Sequence, residues 1–136
     1  MSRVYVAAPL PLLISARAVA GILARAGHVI VSTWHTGEPT IAIERTLSRE
    51  EMGRIGGQCL DEVGDADALM LLYGPETTRS GSVLETGFAL GRGLPVVAMP
   101  IGADASLPTM LLRARGVRHE TTLHLLDALR DLEATP

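Results

Sequence analysis

Short β-branched runs alternate along this chain with longer segments whose apolar residues recur every three or four positions. That alternation predicts an α/β domain around a parallel sheet. A first strand is expected over Arg3 to Ala8, apolar almost throughout like a strand covered on both faces, and it ends at Pro9. From Leu13 to Ala26 a helix is expected, with Ala18, Val19, Ile22 and Leu23 on one stripe and Gly27 as its C-terminal cap. Val29 to Thr33 predicts a second strand, and Trp34 to Arg45, with Gly37 and Pro39, a long connection beyond it. Ser48 and Glu51 have the spacing of a capping box, so a helix should open there and run to about Val63. Gly53, Gly56 and Gly57 weaken it by about 1 kcal/mol each relative to alanine. Ala68 to Tyr73 predicts a third strand, Gly74 to Gly81 a loop, Ser82 to Arg92 a helix stopped by Gly93, and Val96 to Met99 a fourth strand. After a loop from Pro100 to Ser106, a short helix is expected near Leu107 to Arg113 and an extended piece around Val117. A final helix, Thr122 to Glu133, carries Leu123, Leu126, Leu129 and Leu132 as one stripe. The expected architecture is one doubly wound, flavodoxin- or Rossmann-like domain with four to five parallel strands in the order 2-1-3-4-5.

Composition narrows the functions such a domain can serve. At 136 residues and 47% apolar, the chain can bury about two-thirds of its unfolded surface and needs no disulfide or metal staple. Its single cysteine, Cys59, suits a reducing compartment, and no apolar run reaches the roughly 18 residues of a membrane span. With no basic region and removable apolar segment at the start, a cytoplasmic protein that does not engage membranes is expected. Twelve basic residues against 15 acidic ones, none of them lysine, argue against gripping a nucleic-acid backbone by charge. Aromatic residues are 3% of the chain, Tyr5, Trp34, Tyr73 and Phe88, too few for serial base stacking. His28, His35, His119, His124 and Cys59 show no metal-ligand spacing, so neither metal nor cofactor is expected.

Ligands of open parallel sheets sit beyond the carboxyl ends of the strands, where the strand order reverses. Four segments arrive there: Ala7, Ala8 and Pro9; Trp34 and His35; the loop from Gly74 to Gly81; and the loop that starts at Pro100. The third opens into a helix through Arg79, Ser80, Gly81 and Ser82, a small-residue turn that presents free N–H groups and the positive end of a helix dipole. Glu85, three residues after Ser82, is expected in the first helical turn, where it stays ionised. Such a carboxylate can attack or stabilise a sugar C1 that develops oxocarbenium character. The plain structural alternative makes Ser82 the N-cap and Glu85 its capping-box partner.

RVYVAAP at the start, the Gly-His pair after the first helix, DADALMLLYG and SGSVLETGFALGRGLPVV together resemble the nucleoside 2-deoxyribosyltransferase-like family, which includes 2'-deoxynucleoside 5'-phosphate N-hydrolases. The likeness runs to about Met99 and is strongest from the small-residue loop through Glu-x-Gly-x-Ala-x-x-x-Gly-x-Pro-Val. It implies that Glu85 is the nucleophile, that Ala7, Ala8 and Pro9 form a close-approach turn, and that Ser80, Gly81 and Ser82 receive a 5'-phosphate. The family's sugar-binding aspartate, six residues before the nucleophile, is replaced by Arg79, whose guanidinium suits a phosphate or is a solvated loop side chain. The aspartate that assists proton transfer, eight residues before Asp67, is replaced by Cys59. Asp61, two positions on, turns to nearly the opposite side of a helix.

Of the remaining candidates, Trp34 can stack on a base or cover the sheet edge, and His35 is a proton donor or an exposed loop residue. Tyr5 reads as core, Phe88 and Leu84 as core or subunit packing, and Cys59 as a small buried residue or a reactive thiol. The resemblance implies cleavage or exchange of an N-glycosidic bond in a nucleoside or nucleoside 5'-monophosphate. The other readings are a catalytically weak nucleotide sensor of the same fold, and a hydrolase of another ribosyl bond, in a cytokinin-type riboside phosphate or NAD. A homodimer or higher homo-oligomer is expected from the resemblance and from a mean hydropathy of +0.27, which suggests apolar surface to cover.

Overall fold

In a computed structural model of the chain, which describes residues 2–37, 47–75, 77, 80–106, 114, 116–119 and 125–133, the strands alternate their side chains between two helical layers. Strands β1 (Arg3–Ala7), β2 (Val29–Ile30), β3 (Ala68–Tyr73), β4 (Val96–Pro100) and β5 (Val117–His119) form one sheet in the order β2-β1-β3-β4-β5, and every pairing is parallel. Helices α1 (Leu13–Arg25), α2 (Arg49–Gly64) and α3 (Gly81–Gly91) fill the first three crossovers, α4 (Leu125–Glu133) follows β5, and one 3-10 turn, Leu10–Leu12, precedes α1.

Period-two alternation divides the core. Val4, Val6, Met70, Leu72, Val97 and Met99 face α1 and α4, where they pack with Ala16, Val19, Leu23, Leu125, Ala128 and Leu129. Tyr5, Ala7, Leu69, Leu71, Tyr73, Val96 and Ala98 face the other way, onto Val63 of α2 and Ala89 of α3. β3 is buried along its whole length, as the central strand of a doubly wound sheet must be. The buried stripe of α4 is Leu125, Ala128 and Leu129, with Leu126 half-buried beside it. Of the expected stripe, Leu129 is buried and Leu126 half-buried, with Leu125 and Ala128 completing an i, i+3, i+4 face, while Thr122, Leu123 and the side chain of Leu132, like the expected helix from Leu107 to Arg113, lie outside the described residues.

Two boundaries move for clear reasons. β2 ends at Ile30 rather than Thr33, because beyond Val31, whose N–H still reaches Val4, side chains replace the ladder. The Val6 N–H donates to Ser32 Oγ at 3.0 Å, and the Trp34 indole N–H donates to the Val6 carbonyl at 2.7 Å. α3 begins one residue earlier than expected, at Gly81, with Ser80 as its N-cap. At α2 the expected capping box is complete: the Glu51 N–H donates to Ser48 Oγ and the Ser48 N–H to the Glu51 carboxylate, each at 3.2 Å.

Candidate functional site

The strand order reverses between β1 and β3, and a cleft of about 790 Å3 opens beyond the carboxyl end of β1, walled by the turns after β1 and β2, by α2 and by the start of α3. Its size is in the range of small-molecule sites, and no helix among the described residues is long and apolar enough to cross a membrane.

Glu85 lines this cleft as the fifth residue of α3, beyond the first turn and outside any capping box. Ser80 makes no side-chain cap; its hydroxyl donates to the Thr77 carbonyl at 2.8 Å and pairs with Ser82 Oγ. The capping-box alternative for Ser82 and Glu85 fails because α3 starts too early for it. The carboxylate instead accepts a hydrogen bond from the Tyr5 hydroxyl, and Cys59 lines the same cleft.

Tyr5 is fully buried, as a core strand residue, yet its hydroxyl bonds the cleft-lining Glu85. Alternation in β1 turns Tyr5 toward α3, and Thr86 and Ala89 of that helix are buried against the same side.

The expectation that Glu85 stays ionised at neutral pH is overturned. Burial pushes its carboxyl up from 4.5 to about 7; the Tyr5 hydrogen bond, with a smaller effect of the Cys59 thiol, counters this in part, and the Glu62 charge adds to it. Burial also raises Tyr5, further helped by Glu85, and raises the Cys59 thiol, so both stay protonated beside the carboxylate. The result is a carboxyl group oriented by the Tyr5 donor and divided between its two protonation states near neutrality.

Other expected residues fall into separate groups. Ala8, Pro9, Trp34, Cys59, Ser80, Gly81 and Ser82 line the cleft with Glu85. Ala7 is buried behind it and does not line it. Asp61 is exposed and lies off the lining, because it is on the side of α2 turned away from Cys59. Arg79 lies outside the described residues. His35 is neither exposed nor in the lining: it is 3% exposed, with Nε2 sharing a 2.8 Å hydrogen bond with Ser32 Oγ and its ring edge-on to Trp34 at 5.3 Å. Burial lowers its pKa, with help from the Arg17 charge, so it props Trp34 as a neutral ring. Trp34 covers the sheet edge through Val6 and at the same time presents itself to the cleft. Leu84 is 66% exposed at the rim, and Phe88 is exposed too, so neither is core.

Sequence reasoning missed Thr33, Gln58 and Glu62. The Thr33 N–H donates to Glu62 Oε1 at 2.9 Å, its hydroxyl donates to Oε2 at 2.7 Å, and Gln58 donates to the same hydroxyl at 3.2 Å. The three-residue spacing from Cys59 to Glu62, which puts both on one helix face, was the available signal. The apolar wall from Met52, Ile55 and Leu10 was missed as well. Among the described residues no cluster of His, Cys, Asp and Glu could hold a metal ion.

No protein-family model matches the chain, and no curated protein matches it in sequence. Among solved structures it is similar to the CMP N-glycosidase BcmB of Clostridium botulinum, with a TM-score of 0.55 and 13% identity, over 98% of this chain and 99% of that one. Fold and cleft together define a single-sheet, Rossmann-like α/β protein with a small-molecule-sized site at its strand-order reversal.

Proposed function

We propose that the chain cleaves, or exchanges the base on, the N-glycosidic bond of a nucleoside 5'-monophosphate, with Glu85 as nucleophile. The observation that carries this reading is the Glu85 carboxyl group, held by Tyr5 in the cleft where the strand order reverses. The fold shared with a CMP N-glycosidase supports it. A carboxylate oxygen of Glu85 attacks C1' as the bond to the base breaks; the base leaves with that bond's electron pair and takes up a proton. Water then opens the glycosyl ester in a hydrolase, or a second base does so in a transferase. The α3 start, where the Ser80 side chain makes no cap, suits the 5'-phosphate through its N–H groups, with Arg79 as the added cation. Trp34 offers its ring to the base.

Only the ionised carboxylate attacks, so kcat/KM should rise with pH through about 7 as Glu85 loses its proton. The decisive experiment incubates the protein and Glu85→Gln with nucleosides, ribo- and deoxyribonucleoside monophosphates and NAD, with and without an acceptor base, and separates the products chromatographically. Free base from one monophosphate, lost in the variant, supports a glycosidase, and exchange of a second base supports a transferase. Release of base from NAD alone favours the other-ribosyl-bond reading. The runner-up, a sensor that binds nucleotide without efficient turnover, is favoured by Cys59 beside Glu85, a thiol held protonated where the resembled family has an aspartate. No turnover with a nucleotide-dependent rise in Tm would select it. The same family reading has the chain act as a cytoplasmic homodimer, and a monomer mass by light scattering at micromolar concentration would remove that part.

A further inference from the structure

The turn that carries the cleft-lining Trp34 is held by a closed set of hydrogen bonds. On the edge of β1 that faces β2, the Ser2 and Val4 carbonyls accept from the Val29 and Val31 N–H groups at 2.9 Å each, and Val6 is the next residue on that edge. There two side chains take over the rung: the Val6 N–H donates to Ser32 Oγ at 3.0 Å, and its carbonyl accepts from the Trp34 indole N–H at 2.7 Å. His35 closes the set, with Nε2 at 2.8 Å from Ser32 Oγ and its ring edge-on to Trp34. Arg17 of α1 pins the same turn: its Nε donates to the His35 carbonyl at 2.6 Å and its Nη2 to the Gly37 carbonyl. Ser32 is 1% exposed and His35 3%, so a bond lost between them is not readily replaced by water.

We propose that Ser32 and His35 are a positioning pair that locks the Trp34 wall of the cleft only while the imidazole is uncharged, so that the wall loosens in acid. Ser32 Oγ already accepts the Val6 N–H, and among the described residues its hydroxyl proton has His35 Nε2 as its partner. Nε2 therefore accepts, which only the neutral ring can do. Once protonated, Nε2–H has to donate to Oγ, the Ser32 proton is left without its buried acceptor, and Oγ is shared between two donors. The disruption falls on the Val6–Ser32 bond and on the ring packed against Trp34. Among the described residues, the charged groups that act on the imidazole are Arg17 from α1 and Glu62 from α2; burial, then the Arg17 charge, hold its pKa below 6.5, and Glu62 offsets them in part. The unfolded chain binds this proton more tightly, so the lock's contribution to stability is complete above about pH 6.5 and is lost as pH falls below that value. The loosening of the wall stands on this geometry; its effect on substrate rests on the glycosidase reading, in which Trp34 stacks on the base.

Acrylamide quenching of Trp34, the single tryptophan, tests this in the full chain without substrate. From pH 8 downward the wild type should pass from protected to readily quenched, with a red-shifted emission maximum. The midpoint should lie below 6.5 and match the His35 ring titration, followed by NMR and assigned by the signal missing from His35→Gln. His35→Gln, whose amide can bond Ser32 Oγ and has no proton to gain, should stay protected over the same range. Ser32→Ala should be readily quenched at pH 8 already. Quenching that stays flat until the chain unfolds, or a transition that survives in His35→Gln, overturns the proposal, and so does a folded Ser32→Ala as well protected as the wild type. If Ser32→Ala does not fold, the wild type and His35→Gln still decide. Under the glycosidase reading, the wild-type KM for the nucleoside monophosphate should rise about fivefold or more through the His35 transition, the lower end of what one base–aromatic stack is worth. His35→Gln should abolish that rise while kcat still follows Glu85. If no substrate releases base while the quenching behaves as expected, the glycosidase reading fails and the lock stands.

Discussion

At the start of α2, Ser48 and Glu51 exchange both bonds of a capping box, and the Glu51 carboxylate is committed to its own helix end. At the start of α3 the same Ser-x-x-Glu spacing recurs in Ser82 and Glu85, but the helix begins at Gly81, and the carboxyl lies a full turn inside it. There it meets the Tyr5 hydroxyl rather than a terminal N–H. A shift of two residues in where a helix begins thus converts a structural acid into one free for chemistry. The energetic signs are opposite as well. A capping carboxylate is stabilised in the fold. Glu85 is held against its burial, with its proton affinity raised.

The sharpest way to break this comparison is Glu85→Gln. Turnover should fall by about a thousandfold or more, while the fold becomes more stable. The folded chain holds the Glu85 proton up to about pH 7, against 4.5 for an ordinary glutamate, so ionisation favours unfolding and stability is lost as pH climbs through that window. The variant should therefore gain about 3 kcal/mol at pH 8 and almost nothing at pH 4, read from denaturant midpoints. A loss of stability at pH 8 would mean that Glu85 caps α3 after all. Tyr5→Phe comes next. Without its donor the Glu85 carboxyl is protonated to still higher pH, so the acid limb of the pH–rate profile should move up and turnover at pH 7 should drop roughly tenfold.

Ser48→Ala tests the other helix. It should cost about 1 kcal/mol of stability by thermal or chemical denaturation and leave the Glu85 titration where it is. The smallest effect belongs to Asp61→Asn. This exposed side chain faces away from the cleft, so stability should change by less than about 0.5 kcal/mol and turnover not at all. A marked loss of turnover would place the proton-transfer role on Asp61 rather than at the Cys59 position.

Much of the fold was legible in the residues. The apolar run of β3, the capping box at Ser48 and the glycine stops at Gly27 and Gly93, both with positive φ, mark elements by local chemistry alone. β2 was less legible because its end depends on Ser32 and Trp34 reaching across to Val6, a contact between residues far apart in the chain. Within the site, the small-residue turn and Glu85 stood out, whereas Tyr5 looked like core, which its ring is. His35 looked exposed because nothing near it in sequence announces the Ser32 hydroxyl and the Trp34 edge that bury it.

By itself the sequence determined the order and kind of the elements, the parallel sheet and the carboxylate at its open edge, since periodicity, caps and turns act over a few residues. Only the tertiary structure decided the state of that carboxylate. Bringing β1, α2 and α3 around one cleft buries Glu85 beside Tyr5, Cys59 and Glu62, and desolvation with a neighbouring like charge is a property of the assembled site.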